Sequence, residues 1–247
     1  MPPRSRSAQI PELFLGLLAI GVAVVLMAHI FGDTVRDVRH SRDTVQVTGS
    51  AKKPITANLV RWTLTVNAEA PTAPPAVRRL LRESAAVRSF LRKGRIEGTA
   101  ISSSVVTSEK VVERLSKTRT RTYYRADQQL EVSTRDIDAV ESVSPGIAGL
   151  IADGIDVSAR PLAYLSTELT QAKLDALDAA TQDARKRAEV LVHGLGGKLG
   201  RMRASSLGVY QVTPRDSTDV SDYGISDTSS REKDVNAVVS ATFAVNH

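Results

Sequence analysis

The chain has no cysteine among its 247 residues. That absence excludes disulfides, thiolate metal sites and a lipid-modified cysteine tether, and it is compatible with either side of a membrane. Histidine is nearly as scarce. His29, His40, His193 and His247 are too scattered to suggest a ligand set, and His193 reads better as a complement to a helix dipole. Aromatic residues make up 4% of the chain with a single tryptophan, so stacking platforms for nucleic-acid bases are not expected. The paired arginines of a twin-arginine signal are also missing, because Ser5 separates Arg4 from Arg6.

What the chain does have is one long apolar run. Leu13 to Phe31 reads LFLGLLAIGVAVVLMAHIF, nineteen residues without a formal charge. At ~1.5 Å per residue the run reaches ~28 Å, close to the ~30 Å hydrocarbon core of a bilayer, and is read as one transmembrane helix. A cleaved secretion signal is the rival reading, since Arg4 and Arg6 supply a basic flank. The run exceeds the ~7 to 15 apolar residues of such a signal, and its best small-x-small site, Gly21-Val-Ala23, would leave Val24 to Phe31 on the mature terminus. Lys and Arg are nearly balanced across the run, so the short leader and the large following part favour an inside terminus with the bulk outside.

The expected organisation is a basic cytoplasmic leader at 1–12, a transmembrane helix at 13–31, a juxtamembrane linker at 32–43 and a domain at 44–246. About 200 residues suffice for one sizeable domain or two small interlocked ones. The net charge of +6 is of the scale that serves solubility.

Within the domain, Val60, Trp62, Leu64 and Val66 alternate with Arg61, Thr63, Thr65 and Asn67, the period of a strand with one buried face. Val45 and Val47 are expected to form its partner, with Gly49 to Pro54 as a long hairpin loop. From Ala76 to Lys93, Val77, Leu80, Leu81, Ser84, Val87 and Leu91 recur at three and four, which predicts a helix with an arginine-rich outer face ending at Gly94. Two strands around Ala100 to Glu113 and Thr122 to Thr134 should pair antiparallel, the second burying Tyr124, Ala126, Leu130 and Val132. A short helix from Ile137 is expected to kink or restart at Ser144-Pro-Gly146. Ile155 to Leu165 reads as an edge or bulged strand because of Pro161.

The longest helix, Gln171 to His193, carries an alanine-rich stripe of Leu174, Leu177, Ala180, Ala184, Ala188 and Leu191, and Gly194, Gly196 and Gly197 end it. Strands near Lys198 to Val212 and Asp234 to Asn246 follow, separated by a polar loop at 213–233.

This order of elements over roughly Thr44 to Asn246 resembles the SIMPL-domain family, seen in bacterial envelope and immunogenic proteins and in animal kinase-interacting adaptors. The resemblance is carried by Val47-Thr-Gly-Ser50, Tyr124-Arg-Ala-Asp-Gln-Gln-Leu-Glu-Val132, Ala184-Arg-Lys-Arg-Ala-Glu189 and Leu195-Gly-Gly-Lys-Leu-Gly200. It implies an α+β fold of two interleaved antiparallel sheet and helix parts, large hollow rings in some bacterial relatives, and links to oxidative stress. It implies no family-wide catalytic residues. The Ser144-Pro-Gly146 interruption and the retained anchor depart from it.

Gly194-Leu-Gly-Gly-Lys-Leu-Gly200 is a superficial phosphate cradle. A dinucleotide fingerprint needs glycine at Leu199, a P-loop needs Ser or Thr there and glycine at Val192, and both precede a helix. A helix stop fits better. Ser50-Ala-Lys-Lys53 has the spacing of an acyl-enzyme serine and lysine, without the accompanying serine-aspartate-asparagine or lysine-threonine-glycine elements. Asp216, Asp219, Asp222 and Asp227 are candidate ligands for a hard cation, although the EF-hand spacing is absent and such loops are commonly just hydrated. Arg78, Arg79, Arg82, Arg88, Arg92, Lys93 and Arg95 form a basic face that is either solvated or a subunit or lipid contact.

The expectation is a non-enzymatic, single-pass protein of the bacterial inner membrane, with its bulk on the periplasmic side. It would bind the bilayer through Leu13 to Phe31, self-assemble, and scaffold or protect the envelope, with a possible envelope protein partner and no nucleic acid. No catalytic, cofactor or metal residues are assigned and no cofactor is expected. The alternatives are a channel-like or partner-binding adaptor and an envelope serine hydrolase using Ser50 and Lys53.

Overall fold

The computed structural model describes residues 43–246. The leader, the apolar run at 13–31 and all but the last residue of the linker lie outside these residues, as do His29, His40 and His247. Among the described residues, no helix is long and apolar enough to cross a membrane.

The fold is mixed α+β with two sheets. Strands β1 (Thr44–Thr56) and β2 (Leu59–Ala70) lead into helix α1 (Ala73–Lys93). Strands β3 (Ile101–Ser103), β4 (Thr107–Arg114) and β5 (Thr120–Thr134) follow, then α2 (Ile137–Val143), a 3-10 turn at Ser144–Gly146 and α3 (Ile147–Ala152). Next come β6 (Val157–Ala159), β7 (Ala163–Leu165) and the long helix α4 (Leu169–Gly194). Strands β8 (Lys198–Leu207), β9 (Gln211–Pro214), β10 (Ile225–Ser226) and β11 (Glu232–Asn246) complete the described chain.

One sheet runs β3-β5-β2-β6, with β4 also on β5 and β7 also on β2; the other runs β1-β11-β9-β10, with β8 also on β11. The expected hairpin over residues 44–68 is therefore corrected. β1 does not break at Gly49 to Pro54 but continues to Thr56, and β1 and β2 belong to different sheets. The chain turns instead at Ala57 and Asn58, whose amides donate to the carbonyls of Arg231 and Leu165. Turn-forming residues in a strand yield when a long partner, here β11, offers a continuous ladder along one edge.

The chain divides into two compact units, each made of separated stretches. One holds Ser50–Ala180 and Leu207–Val238; the other holds the described residues up to Gly49, Thr181–Ser206 and those from Val239 onward.

In the larger unit, β2 pairs antiparallel with β5 from Val60 opposite Thr134 to Ala70 opposite Tyr124. Every second residue of β2 from Val60 to Ala68 is buried, as are Ala126, Leu130 and Val132 on β5. Trp62 also donates its indole N–H to the Arg160 carbonyl at 3.1 Å. Helix α1 starts on Pro74 and Pro75, where a missing N–H costs nothing, and buries Ala76, Leu80, Ser84, Val87 and Leu91. Leu81 is half-exposed rather than part of this stripe. A Cβ at Gly94 would overlap Val143, so the glycine that ends α1 also admits α2. Asp136 caps α2 by accepting from the Ala139 amide at 3.1 Å. The interruption at Ser144-Pro-Gly146 is present as expected. Pro161 lies between β6 and β7, two short segments pairing with β2 where the sequence suggested one bulged strand.

In the smaller unit, Ala184 and Ala188 pack against Val47, Ala241 and Phe243. The buried stripe of α4 is Ala172, Ala176 and Ala180 in its stretch within the larger unit and Ala184, Ala188 and Val192 in its stretch within the smaller. The stripe expected from sequence drifted from it: Leu174 and Leu191 are more than half exposed. Strict four-residue spacing of alanines lets a backbone pack closely, and bulky leucines are displaced from that seam.

Candidate functional site

Strand geometry decides the Ser50 and Lys53 pair. An odd separation within β1 places the two side chains on opposite faces, whereas an acyl-enzyme lysine must reach its serine across a helical turn. Lys53 Nζ instead meets Asp175 Oδ2 at 3.2 Å, at a cleft of about 420 Å³ that Thr56, Ser166 and Glu168 also line. Gln171 Nε2 donates to Asp175 Oδ1 at 2.8 Å. This hydrogen bond, then the one from Lys53, holds the Asp175 carboxyl below its usual range. Lys53 thus faces Asp175 rather than Ser50.

The glycine segment after α4 is a helix stop. The amides of Leu195 and Gly197 return to the Val192 carbonyl, Gly196 adopts φ +80°, and β8 begins at Lys198. A phosphate cradle would run from strand to helix, the reverse order. Gly200 has a separate purpose, because a Cβ there would sit 2.9 Å from the Ala244 carbonyl. His193 lies in the last turn of α4, where a dipole complement was expected.

The aspartates of 213–233 do not converge, and no three metal-ligating side chains gather among the described residues. Asp219 accepts from the Ser217 hydroxyl at 2.9 Å, while the Asp216 amide donates to Asp234 at 3.1 Å. Asp227 is the centre of a tight structural knot. It accepts from the Ser229 hydroxyl at 2.7 Å, the Ser230 amide at 3.1 Å and Lys233 Nζ at 3.0 Å. Lys233 and Asp234 are each 2% exposed, and Lys52 Nζ stands 3.4 Å from Asp234. Sequence reasoning placed Lys233 in a solvated loop, because one lysine beside acidic residues carries no local sign of burial.

The basic face of α1 is present. Arg79 pairs with Glu83 at 2.6 Å, and Arg78, Arg82, Arg92 and Lys93 are exposed. Arg88 is half-buried, and its Nη2 donates to Gln128 Oε1 at 3.2 Å. Gln128 sits among the buried residues of β5 at the position omitted from the expected apolar set; the period of two through Ala126 and Leu130 marks it.

A third feature is exposed and apolar. On α4, Val190 is 73% and Leu191 51% exposed, and Leu195 just beyond it is 88% exposed. With Lys186 and Arg187, Val190 and Leu191 line a shallow groove of about 390 Å³. Nearby in sequence, β8 is exposed on both faces from Arg201 to Leu207, and among the described strands it pairs only with β11.

These features, two sheets with a long alanine-seamed helix, accompany a family match over residues 45–243. The chain belongs to the SIMPL family, described as proteins of unknown function (DUF541). No curated protein matches it. Among solved structures, an aminohydrolase from methicillin resistant Staphylococcus aureus aligns with 56% of this chain and 39% of its own at 13% identity and a TM-score of 0.24. An amidase of the hydantoinase/carbamoylase family from Burkholderia multivorans aligns with 53% of this chain and 33% of its own at 16% identity and a TM-score of 0.23. The chain thus spans well under half of either protein.

Proposed function

We propose that this chain is a membrane-tethered, self-assembling envelope protein that scaffolds or protects during stress without a catalytic step. The observation that carries the reading is β8. A ten-residue edge strand exposed on both faces over its last seven residues offers unpaired backbone groups to another chain, and natural monomers normally cover or shorten such edges. Val190, Leu191 and Leu195 add an apolar surface of the kind that marks association sites. The occupant proposed for both is a second copy of this chain, and closed symmetry would gather the tethers around one axis. The apolar run Leu13 to Phe31 supports the tether. The Lys53–Asp175 pair supports the absence of an acyl-enzyme centre, since it engages the only lysine at SxxK spacing from Ser50.

Mass photometry of the full chain in detergent tests this directly. A symmetric assembly of many copies is expected, and a persistent monomer at micromolar concentration would reject the proposal. Fractionation tests the tether separately: mature protein beginning beyond Phe31 and recovered in the soluble fraction overturns it.

A further inference from the structure

We infer that Arg88 and Arg92 on α1 form a binding site for a phosphate group, either free phosphate or the phosphate of a lipid headgroup. The two residues are one helical turn apart and line a pocket of about 220 Å³ with Ala85, Gly98 and Ile101. Arg88 Nε is buried and has no hydrogen-bond partner. A buried N–H of a charged group without an acceptor is uncommon in folded proteins and marks a guanidinium whose donors are not all engaged.

The neighbouring groups hold this donor in place without cancelling its charge. Arg88 Nη2 donates to Gln128 Oε1 at 3.2 Å, and Gln128 Nε2 donates to the Ser104 carbonyl at 3.0 Å. Gln128 is 6% exposed, so its amide is oriented from β5 with the oxygen toward the guanidinium. A neutral amide orients an arginine; a carboxylate would neutralise it. Among the described residues no carboxylate lies within ion-pair distance of Arg88 or Arg92, although Arg79 on the same helix has found Glu83.

Two guanidiniums with free donors match an anion of about two negative charges, and the planar fork favours phosphate oxygens in bidentate geometry. The pocket is smaller than the ~300 to 1,000 Å³ of sites that enclose whole organic ligands, so it takes one anionic group rather than a cofactor. Gly98 leaves its side open, because a Cβ there meets nothing within 4 Å. The remainder of a larger molecule would extend into solvent. This site does not depend on self-association.

The test uses the full chain in detergent, titrated by calorimetry at low salt with inorganic phosphate and, separately, with micelles of the same detergent doped with phosphatidylglycerol or phosphatidylcholine. R92Q is the principal variant, since Arg92 is exposed and its loss leaves the interior intact. R88K keeps the charge but removes the fork, and R78Q, on the same helix outside the pocket, controls for general charge. Saturable phosphate binding weakened about tenfold by R92Q and R88K but not by R78Q supports the site with free phosphate as ligand. The same pattern for phosphatidylglycerol-doped micelles alone assigns the site to a lipid headgroup. Equal loss in R78Q and R92Q shows diffuse attraction and overturns the proposal, as does the absence of binding in both assays.

Discussion

Lys233 Nζ donates to the Asp227 carbonyl at 2.6 Å and meets the Asp227 carboxylate at 3.0 Å, with both side chains more than nine-tenths buried. The pair ties the end of the long 213–233 segment to the start of β11. Attraction between two desolvated charges stabilises only when both are present, so removing one leaves the other stranded. K233M is expected to lose about 3 to 5 kcal/mol of unfolding free energy, measured as a shift in the urea midpoint at neutral pH.

The same pair sets an acid dependence. Burial raises the Asp227 carboxyl, but hydrogen bonds from Ser229 and Lys233 outweigh it and leave the group far below its usual range. A carboxyl depressed on folding contributes fully above its unfolded value of about 3.9, and the contribution fades as pH falls below that. D227N should therefore be markedly less stable than the parent at neutral pH, with the gap narrowing toward pH ~3. A gap independent of pH would contradict this origin.

Tyr164 responds to alkali. Its hydroxyl donates to Glu141 Oε1 at 2.7 Å, and burial together with this bond pushes its pKa up to about 12. A phenol raised on folding stabilises the fold fully below its unfolded value of about 10, and that stabilisation is lost as pH rises through the folded value. Y164F should remove the phenolate absorbance step near pH 12 and lower stability by about 1 kcal/mol.

The alanine seam of α4 allows no larger side chain. Ala184 has no exposed surface and touches Val47, Ala241 and Phe243. Leucine is nearly as good a helix former as alanine, so the expected loss of about 1 to 3 kcal/mol in A184L reports overpacking alone. L174A, on the exposed face, should change the midpoint by less than about 0.5 kcal/mol.

If β8 and the exposed end of α4 join copies of the chain, V190E and M202K should shift the mass distribution toward smaller species while far-UV circular dichroism stays unchanged. Both side chains are at least half exposed, so neither substitution opens a cavity. Retention of the full assembly in the double variant would move the interface elsewhere.

Local pattern carried much of the fold. The alternation of Val60 to Val66, the α1 stripe through Leu80, Val87 and Leu91, the break at Ser144-Pro-Gly146 and the burial of β11 at Val235, Ala237, Val239, Ala241 and Phe243 were all legible, because period and turn chemistry act over a few residues. The site residues were less so. Arg88 read as one arginine of a basic face, and Gln128 interrupted an apolar set without explanation.

The amino-acid order by itself determined which segments become strands and helices, which face of most of them is apolar, and the membership of the family. Tertiary structure alone decided that β1 and β2 enter different sheets, that Ser50 and Lys53 face apart, and that Lys233 is buried beside Asp227. Periodicity is written between near neighbours in the chain. Strand partnership and the burial of a charge depend on groups many residues away, and no local pattern records which of them will arrive.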